Sequence, residues 1–168
     1  MGGGMKSRFK SYYNDIAWRT SELSRARRLK VGSIVVKDDR IISIGYNGTP
    51  AGWDNNCETR VHVTASGGKI DFEDIVKEYP YIDENDSRYK LVTLDEVLHA
   101  ESNALAKLAK SNESGQGASM FCTHAPCIHC AKMIYQAGIE TVYYSTSYRD
   151  TTGIQFLTKA GVNVVHLK

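Results

Sequence analysis

From Leu98 to its end the chain switches repeatedly between two hydrophobic periods, and that alternation limits the folds open to it. Leu98 to Lys110 sets Ala104, Leu105, Leu108 and Ala109 at helical spacing, Ser119 to His124 is a short strand-like run, and Cys127 to Gln136 is helical again, closing at Gly138. Thr141 to Thr146, Gly153 to Ala160 with Gly161 behind it, and Val162 to Leu167 continue the pattern. Strand, helix, strand, helix, strand implies parallel pairing with right-handed crossovers. Upstream, Val31 to Val36 and Arg40 to Tyr46 flank Lys37-Asp38-Asp39 and predict an antiparallel hairpin. The expected fold class is α/β, a three-layer α/β/α arrangement with a mixed five-stranded sheet and helices on both faces.

Phe9, Tyr12, Tyr13, Ile16, Ala17, Thr20 and Leu23 predict an amphipathic helix over about residues 7 to 24. It runs into Ser24-Arg25-Ala26-Arg27-Arg28-Leu29-Lys30, four cations in seven residues. Such a cluster is either a solvated helix end, where cations suit the dipole, or a site for one phosphate, whose oxygens match the arginine fork. Tyr46-Asn47-Gly48-Thr49-Pro50 has strong turn chemistry, and an Asn at a strand's mouth can also offer a donor and an acceptor to a sugar hydroxyl.

Between about residues 51 and 96 the pattern loosens, with Gly52, Asn55, Asn56, Gly67, Gly68, Pro80 and many acids; only Phe72, Ile75, Val76 and Tyr79 suggest a short helix. Compact domains rarely carry so long an irregular stretch without a functional reason. It is expected to be a long insertion within one domain spanning 1–168. Cys57 and His62 lie in it, five apart; a second metal there would rest on two ligands only, so ordinary loop residues are the preferred reading.

A formal charge of +2 gives no reason for a nucleic-acid footprint or a membrane-surface partner. No apolar run approaches the roughly 18 residues of a membrane span, and the start Met1-Gly2-Gly3-Gly4-Met5-Lys6 lacks a signal peptide's apolar stretch. A soluble, cytoplasmic protein is expected. Its four cysteines, Cys57, Cys122, Cys127 and Cys130, are then thiols or metal ligands rather than a disulfide framework.

The chemistry is concentrated in His99-Ala100-Glu101 and Pro126-Cys127-Ile128-His129-Cys130. One imidazole and two cysteines three apart can fill three tetrahedral positions of Zn²⁺ and leave the fourth for water. Both motifs fall at helix starts, where side chains tilt toward the N-terminus and the positive helix end favours thiolate. Two thiolates cancel the formal charge of zinc, so activating the water needs a base. Glu101 is displaced from His99 by roughly 200° around an ideal helix and fits that outer role rather than coordination. A closed structural site, with Cys122 or His124 as fourth ligand, is the alternative; Cys122, on a strand, more naturally faces the core. His129 points elsewhere, whereas His124 at the strand's end is placed to line the pocket.

These motifs resemble those of the zinc-dependent cytidine deaminase superfamily, whose base deaminases share H-x-E and P-C-x-x-C elements. Gly45-Tyr46-Asn47-Gly48-Thr49-Pro50-Ala51-Gly52, His99-Ala100-Glu101-Ser102-Asn103-Ala104 and Gln136-Ala137-Gly138-Ile139 are similar to the deoxycytidylate deaminases, notably the phage type. The resemblance implies the cytidine-deaminase-like fold and hydrolysis of dCMP to dUMP for thymidylate synthesis. A water activated at zinc would attack C4 of cytosine, while Glu101 passes its proton to N3 and then to the leaving amine.

The resemblance further implies that the Ala100 backbone contacts the base and Asn47 the deoxyribose, with Ser24, Arg25 and Tyr148 on the phosphate side. It also draws Arg27, Arg28 and Lys30 toward phosphate binding, of substrate or effector. Activation by dCTP, inhibition by dTTP, Mg²⁺ accompanying a triphosphate effector and a homo-hexamer are implied too, in the host cytoplasm if phage-encoded. Gly45, Tyr46 and Gly48 are the effector-site residues by the same analogy, together with Lys107 and Lys110. Those two lysines depart from the phage-type pattern, standing where an aromatic and an arginine are expected. Deamination of dCTP is a variant within this class. The alternatives of other classes are a tRNA or polynucleotide deaminase and a catalytically silent zinc or nucleotide-binding module, against which an intact Glu101 argues.

Overall fold

The computed structural model describes residues 5–64 and 71–168; the N-terminal Met1 to Gly4 and the turn candidates Gly67 and Gly68 lie outside them. A five-stranded sheet forms the centre. Its first two strands, β1 (Gly32–Lys37) and β2 (Arg40–Tyr46), pair antiparallel. Lys37 faces Arg40 across a two-residue connection, and Asp38 and Asp39 both have positive φ (50° and 56°), the handedness that matches strand twist in a tight hairpin.

Two more strands have the bounds that their alternation predicts. These are β6 (Ser119–His124) and β7 (Thr141–Thr146); β8 (Asn163–His166) follows. The order is β2-β1-β6-β7-β8, with β6, β7 and β8 parallel and β1 antiparallel to β6.

Period two sorts the strand side chains onto two faces. Ile34, Val36, Phe121 and Tyr143 pack against Tyr13 and Ala17 of helix α1 (Ser7–Ser21). Val35, Met120, Cys122 and Val142 pack on the opposite side against Ala104, Leu105 and Leu108 of α3 (Ala100–Ala109), Ala131 and Ile134 of α4 (Ile128–Gln136), and Leu157 of α5 (Thr152–Lys159). The three-layer α/β/α expectation is met. Cys122 faces this core, with its Sγ 3.6 Å from Ser33 Oγ. Among the described residues no helix is long and apolar enough to cross a membrane.

Helix α1 ends earlier than its apolar spacing predicts. Ser24, buried, accepts the Ala26 N–H on its Oγ (3.1 Å) and donates to Asn47 O (2.7 Å), which draws the chain out of the helix toward β2.

The central stretch departs most from expectation. It holds a second sheet, β3 (Glu58–His62), β4 (Tyr81–Ile82) and β5 (Arg88–Thr93), antiparallel in the order β3-β5-β4, with helix α2 (Phe72–Glu78) before β4. Glu58-Thr59-Arg60-Val61-His62 has no apolar alternation, because little of this sheet is buried. Asp83 ties the β4–β5 turn, its Oδ1 accepting the N–H groups of Asn85 and Ser87 at 2.9 Å each. The segment leaves and rejoins the body at one place, where Gly48 and Leu98 exchange two backbone hydrogen bonds (3.1 and 2.8 Å).

Candidate active site

His99 and Cys127 occupy the N-cap positions of α3 and α4, just ahead of the first turns that carry Glu101 and Cys130. Both helices pack on the same face of the sheet, so their starts converge. His99 Nδ1 lies 3.5 Å from Cys127 Sγ and 3.5 Å from Cys130 Sγ. Ligands at usual zinc bond lengths in a tetrahedron stand about 3.6 Å apart, nitrogen to sulfur. The donor set therefore fits zinc in chemistry and spacing, and it is the group of three or more His, Cys, Asp or Glu side chains able to hold a metal ion among the described residues. Glycine at 153 lets α5 approach this turn: a Cβ there would sit 2.1 Å from Pro126 O and 2.8 Å from Cys127 C.

Electrostatics sets the four titrating groups of the site apart. Without metal, hydrogen bonds from Cys130 and from His99 bring the Cys127 thiol down to about 3, while the hydrogen bond to Cys127 and burial push Cys130 up, so binding zinc through both sulfurs would release the Cys130 proton. His99 is raised by the same hydrogen bond to Cys127. Glu101 is 4% exposed, and burial lifts its carboxyl from 4.5 to about 7. A carboxyl titrating near neutrality can both take and return a proton.

A cleft of about 390 Å³ opens over this cluster, lined by His99, Ala100, Glu101 and Cys127. Asn47, His124 and Tyr148 line it as well, but Ser24 and Arg25 do not: the first is a buried strut and the second is exposed on the outside. Of the arginine-rich segment it is Arg28 that reaches the cleft. Asn47 is itself a brace, its Nδ2 donating to Leu29 O and its Oδ1 accepting from Val31 N, both at 2.8 Å. His124 is tied to the strand through its Nδ1. Gly32 N–H donates to the buried Thr123 Oγ1 (3.1 Å), which in turn shares a hydrogen bond with His124 Nδ1 at 2.9 Å. Burial lowers the His124 pKa, which favours the neutral imidazole.

A model of the cytidine and deoxycytidylate deaminase zinc-binding region matches residues 7–146. The chain belongs to the cytidine and deoxycytidylate deaminase family. It is 41% identical to the dCMP deaminase of cyanophage S-TIM5, whose crystal structure in complex with dCMP and dUMP aligns with a TM-score of 0.76 over 97% of this chain and 99% of that one. It is 34% identical over 163 residues to the deoxycytidylate deaminase of Saccharomyces cerevisiae, covering 95% of this chain and 45% of that protein. With the deoxycytidylate deaminase of Enterobacteria phage T4 it shares 32% identity over 166 residues, covering 90% and 86%. The chain thus spans about half the length of the yeast relative and most of the phage one.

Within this deaminase family member, the remaining sequence candidates gather away from the cleft. Gly45 lies under α3, where a Cβ would meet Ala100 O at 2.1 Å. Gly48 is the backbone partner of Leu98, and Lys107 Nζ lies 5.1 Å from the Tyr46 ring centroid. Lys110 is the exposed C-cap of α3. Cys57 is buried against Ala26 and Val97, while His62 Nε2 pairs with Asp83 Oδ2 at 2.9 Å; no third ligand joins them among the described residues. His129 is exposed.

Sequence reasoning missed Glu58 and Thr93, which line the cleft from the inserted sheet. A lone acid in a polar stretch carries no pattern, and its one signal is the cationic segment that it neutralises.

Proposed function

We propose that this chain is a single deaminase domain that hydrolyses dCMP to dUMP and ammonia. The observation that carries the reading is a His99, Cys127, Cys130 set at zinc spacing, two of whose members line one cleft together with the buried Glu101, whose carboxyl burial pushes up. The 41% identical cyanophage enzyme, bound to dCMP and dUMP, supports cytosine nucleotides as the substrate class.

His99 Nδ1, Cys127 Sγ and Cys130 Sγ would hold the zinc, which supplies Lewis-acid activation of a water when bound. Glu101 takes one proton of that water and delivers it to N3 of cytosine as oxygen bonds to C4. The same carboxyl then carries the second proton to the amine, which leaves as ammonia when the C4–N bond breaks. With Cys127 and Cys130 both bound as thiolates, the zinc charge would be balanced, so Glu101 would not be held ionised by a strong neighbouring cation and could act in both directions. The Ala100 backbone, Asn47, His124 and Tyr148 are the proposed contacts to base, sugar and phosphate, supported by their place in the cleft lining.

The proposal extends to dCTP as activator and dTTP as inhibitor, with Mg²⁺ on the triphosphate, in a cytoplasmic homo-hexamer. Lys107 beside Tyr46 supports a common effector position for those residues and the neighbouring Gly45, Gly48 and Lys110. The test is loss of cytosine absorbance and release of ammonia with dCMP, CMP, dCTP and cytidine, each with and without dCTP or dTTP. Turnover of dCMP above the others is expected. Activity on RNA with none on dCMP would reverse the reading.

A further inference from the structure

One wall of the cleft carries a ring that the zinc chemistry does not use. His124 ends β6, beside Thr146 of β7, and lines the cleft. Its Nδ1 is taken up by Thr123 Oγ1, and among the described residues its Nε2 has no hydrogen-bond partner. The ring also meets Trp18 of α1 edge to face, with centroids 5.6 Å apart and planes at 61°.

The first helix is held close to the sheet where this contact forms. A Cβ on residue 32 would lie 2.1 Å from Ala17 O, so glycine there lets α1 press on β1, and the Gly32 N–H is the group that donates to Thr123 Oγ1. Asn14, one turn before Trp18, accepts from Ser145 Oγ of β7. Trp18 itself stays 39% exposed, outside the core that Tyr13 and Ala17 join. Two contacts therefore fix the His124 ring, the Thr123 hydroxyl at Nδ1 and the Trp18 indole against the ring, and both leave Nε2 free.

A nucleotide with its cytosine C4 at Glu101 carries its sugar along the cleft walls. The sugar of a deoxynucleotide 5′-phosphate has one free hydroxyl, which needs a side chain with a polar atom to spare. Asn47 has an amide N–H committed to Leu29 O and its oxygen committed to Val31 N. Burial favours a neutral His124, which suits an uncharged hydroxyl better than a phosphate, and an imidazole nitrogen can serve that hydroxyl as donor or as acceptor.

We propose that His124 Nε2 is the partner of the sugar 3′-hydroxyl, and that Trp18 is a positioning residue that holds the ring for it. This rests on the dCMP reading above.

The test is steady-state kinetics of the full zinc-loaded chain on dCMP and on 2′,3′-dideoxycytidine 5′-monophosphate, which lacks only that hydroxyl. The proteins are wild type, His124→Phe, His124→Leu, Trp18→Ala and Trp18→Phe. Wild type should prefer dCMP by roughly 3- to 10-fold in kcat/KM, the worth of one hydrogen bond. His124→Phe keeps a ring against Trp18 without the nitrogen; it should erase the preference, raising KM for dCMP more than it lowers kcat. Trp18→Ala should lose part of the preference, and Trp18→Phe, which keeps an aromatic edge, should recover it. Should neither His124 variant fold, the exposed Trp18 position carries the result. A wild type without the preference, or a preference unchanged in His124→Phe, would overturn the assignment of His124 while turnover of dCMP upholds the reading. Equal losses on the two nucleotides would also overturn it, by showing a general structural role. A preference intact in Trp18→Ala would overturn the positioning role. Wild type that turns over neither nucleotide would remove the dCMP reading, and this inference with it.

Discussion

Burial of Glu101 sets both its chemistry and a pH signature in the metal-free protein. Its carboxyl is raised from 4.5 to about 7, so the folded chain binds that proton more tightly than the unfolded one. The contribution to stability is full below about pH 4.5 and is lost as pH rises through about 7. Glu101→Gln cannot ionise, so denaturation of the two metal-free proteins should show wild type losing about 3 kcal/mol relative to the variant between about pH 5 and pH 8; a constant difference would mean that Glu101 is not buried in this way. At the thiols, Cys127→Ala should lose bound zinc in elemental analysis, because two remaining ligands hold the ion weakly. A full zinc equivalent in that variant would contradict the ligand set. At this scale the sequence was informative where a residue type has one chemistry, as with His99, Cys127 and Cys130. It was uninformative where a residue's partner decides its role: Ser24 and Arg25 follow a recognisable pattern, yet Ser24 is a buried strut and Arg28 is the cation that reaches the cleft.

Helix starts do the positioning at the scale of elements. Residues of α3 and α4 meet because both helices cover one face of the sheet and because glycines allow close approach, so packing rather than ligand identity fixes the 3.5 Å separations. Gly153→Ala would force a Cβ to within 2.1 Å of Pro126 O. It should destabilise the fold by about 1–3 kcal/mol and weaken zinc retention against a chelator, and unchanged retention would show that α5 does not brace the cysteine turn. The strands β6 and β7 were legible because each alternates between two buried faces. The small sheet was not, since its strands are largely exposed and their registry depends on side chains such as Asp83. Amide donation from Ser87 and Asn85, and then His62, holds the Asp83 carboxyl below its usual 3.8. Its contribution is present above that value and lost as pH falls through the lower folded one. Hydrogen exchange at Ser87 and Asn85 should therefore gain amplitude in acid before the central sheet does, and simultaneous loss would contradict a local tie.

At the scale of the whole molecule, the insertion is the feature whose meaning changed most between sequence and structure. Read as an irregular stretch, it is a sheet pinned at Gly48 and Leu98 that sends Glu58 and Thr93 back into the cleft. Its composition gave no sign of this because few of its side chains pay their way by burial. The central claim is that a zinc held by His99, Cys127 and Cys130 and a proton carried by Glu101 together deaminate dCMP. The direct measurement is dCMP turnover by wild type and Glu101→Gln, with zinc content and melting temperature determined on the same samples. One zinc per chain in both proteins, similar thermal stability, and a loss of turnover on the order of a thousandfold or more in the variant are expected. Comparable turnover in the two proteins at equal zinc content would contradict it.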